Sequence, residues 1–237
     1  MAVVQSVEEA VKNIKDGTRV MIGGFLGSGS PLKMIDTMVE KNVRDLDVIS
    51  VTGCYPGGGF DLGKLSINKQ IKKFTATHIG TDPQFVKQYL DGELEVEFNP
   101  MGTWIERIRA GGAGLGAVVT PVGIGTEMEE GREKINVEGR DYLVYPPLRA
   151  EVAIIKAHKA DKSGNLVYKG TAMNSNVVMA TAADLVIAEV EEVVEVGELY
   201  HGDIKTPGIF VDIIVVGNSP EERKEIYTEH WEKTKKL

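Results

Sequence analysis

Short apolar runs, separated by glycine-rich or helix-periodic segments, recur along this 237-residue chain. Each run is four to eight residues long and rich in β-branched side chains, which is typical of buried strands. We predict strands at residues 20–25, 46–52, 74–79, 94–98, 152–157, 185–190 and 211–216.

Between several of these runs the apolar residues recur with the period of a helix. In segment 32–42 they lie on one helical face, and segments 83–90 and 103–110 show the same period. Strands that alternate with helices predict an α/β fold with an open, mostly parallel sheet covered by helices. Segment 111–139 is glycine-rich, and we predict loops and short strands there rather than a linker.

The C-terminal segment SPEERKEIYTEHWEKTKKL has the pattern of a charged helix. Ser219 suits the N-cap and Pro220 the first helical position, with acidic residues early and lysines late. We therefore divide the chain into a domain at 1–217 and a charged C-terminal helix at 218–237. The weak apolar stripe favours a helix that lies on its own domain over one that contacts a partner.

Charge and composition exclude several classes of protein. The net charge of −8 argues against general nucleic-acid binding. The single cysteine excludes an intrachain disulfide, and the spacing of cysteine and histidine suggests no metal site. No apolar run reaches the roughly 18 to 20 residues of a membrane helix, and no secretory signal pattern is present. We expect a cytoplasmic protein that does not bind membranes.

The segment GGFLGSGSP holds four glycines within seven residues, between a predicted strand and a predicted helix. Free amides and the positive end of a helix can bind an anion there, with Ser30 as cap and Pro31 at the first helical position. The glycines also suit a tight strand-to-helix turn without a ligand. From the residues alone the two interpretations are equally favoured.

Other motifs offer no catalytic centre. Segment 112–117, GAGLGA, has glycines at the spacing of a dinucleotide fingerprint, but it follows a predicted helix instead of a strand. The chain has no nucleophile elbow, and its clustered glutamates are typical of a solvated face. Cys54, Trp104 and the histidines are interpreted as structural.

Longer motifs then point to a family. The pattern from Asp16 to Pro31, DGTRVMIGGFLGSGSP, resembles the signature of the α subunit of family I coenzyme A transferases. Further similar stretches follow in order at 92–126, 145–172, 179–199 and 206–216. The resemblance covers nearly the whole chain and ends near Gly217.

This resemblance implies a subunit that works only with a β subunit, commonly as an α2β2 assembly. The family's nucleophile is a glutamate of the β subunit in a Ser-Glu-Asn-Gly motif, which this chain lacks. It implies a ping-pong reaction through a glutamyl-CoA thioester, with CoA or acyl-CoA as substrate and no permanently bound cofactor or metal. No catalytic residue is expected in this chain. The CoA-binding residues implied are Gly23, Gly24, Phe25, Leu26, Gly27, Ser28 and Gly29.

The resemblance also implies an acyl pocket, formed by Val51, Thr52, Met101, Gly102 and Thr103. Relatives that handle acetoacetate commonly have glutamine at the turn that holds Met101, asparagine near Val51, and many have arginine where Met173 stands. The apolar residues here favour saturated or longer acids, unless backbone amides or the partner compensate. The alternatives are a CoA-dependent lyase subunit and a non-catalytic sensor on the same fold.

Overall fold

Strands and helices alternate along most of the structure, a computed structural model that describes residues 2–235. The described strands are β1 (Val3–Gln5), β2 (Arg19–Ile22), β3 (Leu46–Ile49), β4 (Ile71–Ala76), β5 (Glu95–Phe98), β6 (Val118–Thr120), β7 (Lys134–Val137), β8 (Arg140–Tyr145), β9 (Ala150–Lys156), β10 (Lys159–Asp161), β11 (Leu166–Val167), β12 (Ala183–Val190), β13 (Glu192–Val194) and β14 (Ile213–Val216). The α-helices are α1 (Val7–Val11), α2 (Leu32–Glu40), α3 (Leu62–Ile67), α4 (Pro83–Leu90), α5 (Met101–Gly112), α6 (Asn176–Met179) and α7 (Pro220–Thr234).

Eight of these strands form one sheet in the order β1-β14-β12-β9-β2-β3-β4-β5, and all of their pairings are parallel. Two small three-stranded sheets, β11-β10-β13 and β6-β8-β7, contain the antiparallel pairs. The predicted open, mostly parallel α/β fold is confirmed. The second small sheet lies mainly in segment 111–139, where short strands were expected.

Alternate residues of the central strands bury themselves on opposite faces of the sheet. Val20 and Ile22 of β2 pack with the helices α1 to α4, whereas Met21 between them packs with α5 and α6. A strand covered on both faces must be apolar at nearly every position, which explains the continuous apolar runs of the sequence. The sheet therefore separates two hydrophobic cores.

All seven predicted strands exist, with boundaries shifted by a few residues. Helix α4 begins and ends where predicted, and α5 is longer than predicted by two residues at each end. Segment 112–117 begins at the last residue of α5, so its glycines do not form the strand-to-helix turn of a dinucleotide site. The pattern missed the short elements β1, α1 and α3.

Helix α7 begins as predicted. Ser219 accepts a hydrogen bond from Glu222 N, the Glu222 carboxylate accepts one from Ser219 N, and Pro220 occupies the first turn. This capping box satisfies amides that have no partner inside the helix. The helix packs on its own chain, as the favoured interpretation expected. The division of the chain at residue 217 stays a prediction.

None of the helices between residues 2 and 235 has the length and apolar character needed to cross a bilayer.

Candidate functional site

The strand order reverses direction between β2 and β9, in the middle of the main sheet. From β2 the chain builds outward through β3, β4 and β5, and from β9 it builds the other way through β12 and β14. In open parallel sheets, loops at the carboxyl ends of the strands diverge at such a point and leave a crevice for a ligand. The glycine loop, residues 23–29, follows β2 at this position.

Close packing explains why the glycine loop needs glycine. A Cβ atom on Gly23 would lie 1.8 Å from Asn176 Oδ1, and one on Gly29 would lie 2.4 Å from the Ala172 carbonyl oxygen. Gly29 also has a φ of +73°, a conformation that residues with side chains avoid. The loop is therefore fitted tightly against the segment that leads into α6.

The amino end of α2 does not offer the anion site that the sequence suggested. The amide of Met34, in the first turn of α2, donates to Glu189 Oε2 at 2.9 Å, and Glu189 is completely buried at the end of β12. Its carboxylate occupies the place where an anionic ligand would meet the helix dipole. At the helix end this contact favours the second interpretation, a tight strand-to-helix turn, because a residue distant in sequence fills that end.

The predicted cap is wrong. Pro31 occupies the N-cap position, α2 begins at Leu32, and no side chain caps it. Ser30 instead donates through Oγ to Asp61 Oδ2 at 3.0 Å. Burial is the largest influence on this carboxyl group and raises the pKa of Asp61 to about 7. Ser30 thus ties the glycine loop to the segment before α3.

Two basic residues compensate the buried Glu189. Arg223 of α7 lies 3.8 Å from Glu189 Oε1, and Lys156, at the end of β9, adds electrostatic attraction. Burial nevertheless raises the pKa of Glu189 above its ordinary value and lowers that of Lys156. Lys156 Nζ donates to Glu191 Oε1 at 2.8 Å, so these charges form one network beneath the loop.

An apolar cavity of about 370 Å³ opens beside the glycine loop. Its walls combine apolar side chains with two small polar residues: Phe25, Val51, Met101, Trp104, Ile105, Asn174 and Ser175. Phe25 and Met101 are 37% and 51% exposed, so both present apolar surface at the opening. Within the part of the chain described, no lysine, arginine or histidine lines this cavity.

Three of the predicted contact residues therefore meet in this cavity, namely Phe25, Val51 and Met101. Gly102 and Thr103 line a separate depression with Val118 and Thr120 of β6. Thr52 is buried and accepts a long hydrogen bond, 3.5 Å, from Leu26 N.

Within the glycine loop, the remaining predicted residues differ in exposure. Gly23, Gly24, Gly27 and Gly29 are buried, whereas Leu26 and Ser28 are partly exposed. The amides of Gly24, Gly27 and Gly29 donate no hydrogen bond to any group within residues 2–235. They are candidate donors to a ligand. Their role in binding stays a prediction.

Two asparagines of the site were missed by sequence reasoning. Asn174 Nδ2 donates to the Ser28 carbonyl at 2.8 Å and the residue also lines the cavity. Buried Asn176 donates to the Gly29 carbonyl at 3.2 Å and accepts from Lys156 N at 2.9 Å. The string NSN was the only available signal, and nothing in it indicated a contact with a loop about 150 residues earlier.

A second glycine-rich loop, residues 55–60, lies beside the first and was also missed. Gly57, Gly58 and Gly59 all have φ between +68° and +113°. Three consecutive left-handed residues are available only to glycine without strain, so the string GGG was a usable signal. This loop packs near Tyr227 of α7 through Tyr55 and Phe60.

Arg107 orients the turn that carries Met101. Its buried guanidinium donates to Asn99 Oδ1, to the Glu97 carboxylate and, at 2.7 Å, to the Pro146 carbonyl. A guanidinium group is planar and has five N–H donors, so it can hold several acceptors in a fixed arrangement. Asn99 is thus occupied within the fold, and the exposed Met101 faces the cavity.

The arrangement positions and encloses a ligand but assembles no nucleophile with a base. Cys54 is buried, and burial raises the pKa of its thiol well above the ordinary value. Trp104 is buried, donates through Nε1 to the Thr75 carbonyl at 3.3 Å and is among the residues that line the cavity. Among residues 2–235, no three His, Cys, Asp or Glu side chains converge as metal ligands would.

A glycine loop at a topological switch point, beside an apolar cavity, suits a substrate with an acyl chain. The sequence profile of the coenzyme A transferase family matches residues 4–217. The chain belongs to this family. The match confirms the resemblance that the motifs indicated.

Two relatives of this CoA-transferase chain illustrate the match. The chain is 48% identical over 201 residues to the acetoacetyl-CoA:acetate/butyrate CoA transferase alpha subunit of Clostridium acetobutylicum, covering 85% of this chain and 91% of that protein. It is 41% identical over 213 residues to the acetate CoA-transferase subunit alpha of Escherichia coli K12, covering 90% and 96%.

A solved structure shares the fold. The acyl-CoA transferase of Escherichia coli O157:H7, determined as a thioester complex with CoA, superposes with a TM-score of 0.84 at 22% identity. The match covers 91% of this chain and 47% of that one, so this chain spans about half the length of that protein.

Proposed function

We propose that this chain is the α subunit of a CoA-transferase that moves CoA between an acyl-CoA and a short-chain carboxylic acid. Relatives 40–48% identical to it are named as CoA transferases or their subunits, which favours this function over a lyase subunit or a sensor. The observation that carries the proposal is the apolar cavity beside the glycine loop, at the switch point of the sheet. A cytoplasmic location stays a prediction of the sequence.

The nucleophile in this proposal is a glutamate of the β subunit. Its carboxylate attacks the thioester carbonyl, and the C–S bond breaks to give an acyl-glutamyl anhydride and CoA thiolate. The thiolate attacks the glutamyl carbonyl, which forms a glutamyl-CoA thioester and releases the first acid as its carboxylate. A second carboxylate takes the CoA by the reverse steps. The anhydride and the thioesters along this path are all activated acyl groups, so the exchange needs no ATP.

The α chain supports these steps by binding. The loop residues Gly23 to Gly29 contact CoA near its thioester, and unpaired loop amides donate to carbonyl oxygens as they gain negative charge. Phe25 and Met101 hold the acyl chain and exclude water from it. Because Glu189 occupies the end of α2, the loop holds the thioester region instead of the phosphates of CoA.

The lining of the cavity also limits which carboxylic acids the enzyme would prefer as substrates. A buried second carboxylate needs a cation or several donors, and no basic side chain of the described residues lines the cavity. We therefore propose saturated monocarboxylic acids such as butyrate as preferred substrates, ahead of acetoacetate and well ahead of succinate.

Co-expression with the candidate β chain tests the function. The complex should exchange CoA between acetyl-CoA and butyrate, and each chain alone should be inactive. Full activity of the isolated α chain would refute the proposal that the β subunit supplies the nucleophile. A panel of acids tests the substrate: a wide preference for acetoacetate or succinate over butyrate would refute the apolar acyl site without affecting the transferase assignment.

A further inference from the structure

Helix α7 touches the glycine loop through polar contacts with its backbone. The Tyr227 hydroxyl donates to the Gly27 carbonyl, and Arg223 Nη1 donates to the Ser30 carbonyl at 3.3 Å. Arg223 Nη2 in turn donates to the Tyr227 hydroxyl oxygen at 3.3 Å. Two residues one turn apart on α7 therefore hold both ends of segment 27–30.

The same helix covers the second glycine-rich loop with aromatic rings. Tyr227 packs edge-on against Phe60, with ring centroids 4.9 Å apart, and against Tyr55 at 6.1 Å. His230, one turn later, lies 4.6 Å from Phe60 and 5.5 Å from Tyr55. Aromatic pairs with this geometry stabilise a defined orientation in addition to the area that they bury. Both glycine loops thus contact one face of α7.

Arg223 links this face to the charge buried at α2. Arg223 extends from α7 to within 3.8 Å of the Glu189 carboxylate. The same carboxylate accepts a hydrogen bond from the Met34 amide in the first turn of α2. Glycine-rich loops have high backbone freedom, so a loop that must bind a ligand needs contacts that restrict it beforehand. The contacts from α7 with segment 27–30 provide such restriction.

We infer that α7 is a positioning element of the CoA-transferase, with Tyr227 as the residue that fixes the carbonyl of Gly27 and so pre-orders the glycine loop for acyl-CoA. This inference rests on the proposed role of the loop. Helix α7 lies beyond residues 4–217, which the family profile matches.

The test is Tyr227→Phe in the complete α–β complex. The variant keeps the ring and its aromatic contacts but loses the hydroxyl donor. We expect kcat/KM for acyl-CoA to fall about 3- to 10-fold, the effect of one hydrogen bond on the ordering of a binding loop. The kcat/KM for the carboxylic acid should change less than about 2-fold, because the acid arrives after CoA has become covalently attached.

The matched control is Tyr89→Phe, which removes the hydroxyl of a half-exposed tyrosine on α4, remote in sequence from both loops. It should leave both kinetic constants and the melting temperature unchanged. If Tyr227→Phe leaves acyl-CoA kinetics unchanged, the inference is wrong. It is also wrong if both kcat/KM values fall together with the melting temperature, because the variant would then have lost stability throughout the fold instead of the order of one loop.

The proposed function and the role of α7 are tested by different results. A wild-type complex without CoA exchange would remove the function before any variant is compared, whereas an active complex that is indifferent to Tyr227→Phe would remove only the role of α7.

Discussion

Asp61 is a buried carboxyl group with a pKa raised to about 7, mainly because burial removes it from water. Its ordinary pKa is 3.8, so the folded protein binds a proton there that the unfolded chain has already lost. A raised pKa of an acid makes stability fall as pH rises from the unfolded value to the folded one. This group therefore lowers the free energy of unfolding progressively from about pH 4 to pH 7, and the loss is complete above pH 7.

Asp61→Asn removes this titration and keeps the shape of the side chain. We expect the variant to be more stable than the wild type at pH 8, by about 1 to 3 kcal/mol, and to match it near pH 4. Denaturant unfolding at both pH values measures the difference. Asp184→Asn, at a carboxylate that is 72% exposed, is the control and should show no such change. An equal difference at both pH values would contradict the explanation.

Gly23 tests the tight fit of the glycine loop. A Cβ atom there would overlap Asn176 Oδ1, which already accepts from Lys156 N. We expect Gly23→Ala to destabilise the fold by about 2 to 4 kcal/mol, because the loop must move or the asparagine must lose buried hydrogen bonds.

Gly116→Ala is the matched control, since a Cβ atom at that exposed position would meet nothing within 4 Å. Thermal unfolding of the two variants measures the contrast. Equal melting temperatures would show that the loop can adjust to a side chain at residue 23.

Individual site residues differ in how far the sequence could place them. Val51 and Met101 were assigned to an acyl pocket through the family resemblance, and the structure brings both into the cavity. Asn176 contacts the glycine loop and Glu189 contacts α2, each across more than 145 residues of sequence, and their residue types alone suggest surface positions. The sequence left the end of α2 undecided for this reason: the carboxylate that fills it comes from β12.

At the scale of elements, Glu189 couples α2, β12 and α7. Arg223→Met should leave the buried carboxylate poorly compensated and lower the free energy of unfolding by about 1 to 3 kcal/mol, less than for a closer buried pair. Adding Glu189→Gln removes the charge and should recover more than half of this loss.

Arg109→Met controls for the loss of an arginine, since Arg109 pairs with Glu106 on the exposed face of α5 and is 61% exposed. An exposed pair of this kind contributes at most about 1 kcal/mol. If the double variant is as unstable as the sum of the two single ones, Arg223 does not act on Glu189.

Elements were predictable where an apolar run was long enough to show its period or where capping residues marked an end. The long strands of the main sheet are apolar on both faces, so their runs were unambiguous. The short elements α1 and α3 have five and six residues, too few for a helical period to stand out. Helix α7 was found through Ser219 and Pro220, because capping chemistry is local.

At the scale of the whole molecule, the parallel sheet explains why distant segments share one site. All eight strands of the main sheet point the same way, so the segments after β2, β3 and β5 emerge at one edge. Phe25, Val51 and Met101 come from these three segments and meet in the cavity. The family could therefore be predicted from the order of the motifs in the sequence. The cavity could be described only once the topology of the sheet was known.

Met101→Gln in the α–β complex tests whether this cavity selects the acid. An amide at the mouth of the cavity can donate to the keto oxygen of acetoacetate, and a saturated acid gains nothing from it. We expect the ratio of kcat/KM for acetoacetate over butyrate to rise about 5-fold, as one hydrogen bond near 1 kcal/mol implies. Met128→Gln, at a methionine that does not line the cavity, should leave the ratio unchanged. An unchanged ratio in Met101→Gln would contradict this role of the cavity. The α subunit would then form only an apolar wall of the acid site, and the polar groups that select the acid would belong to the partner chain.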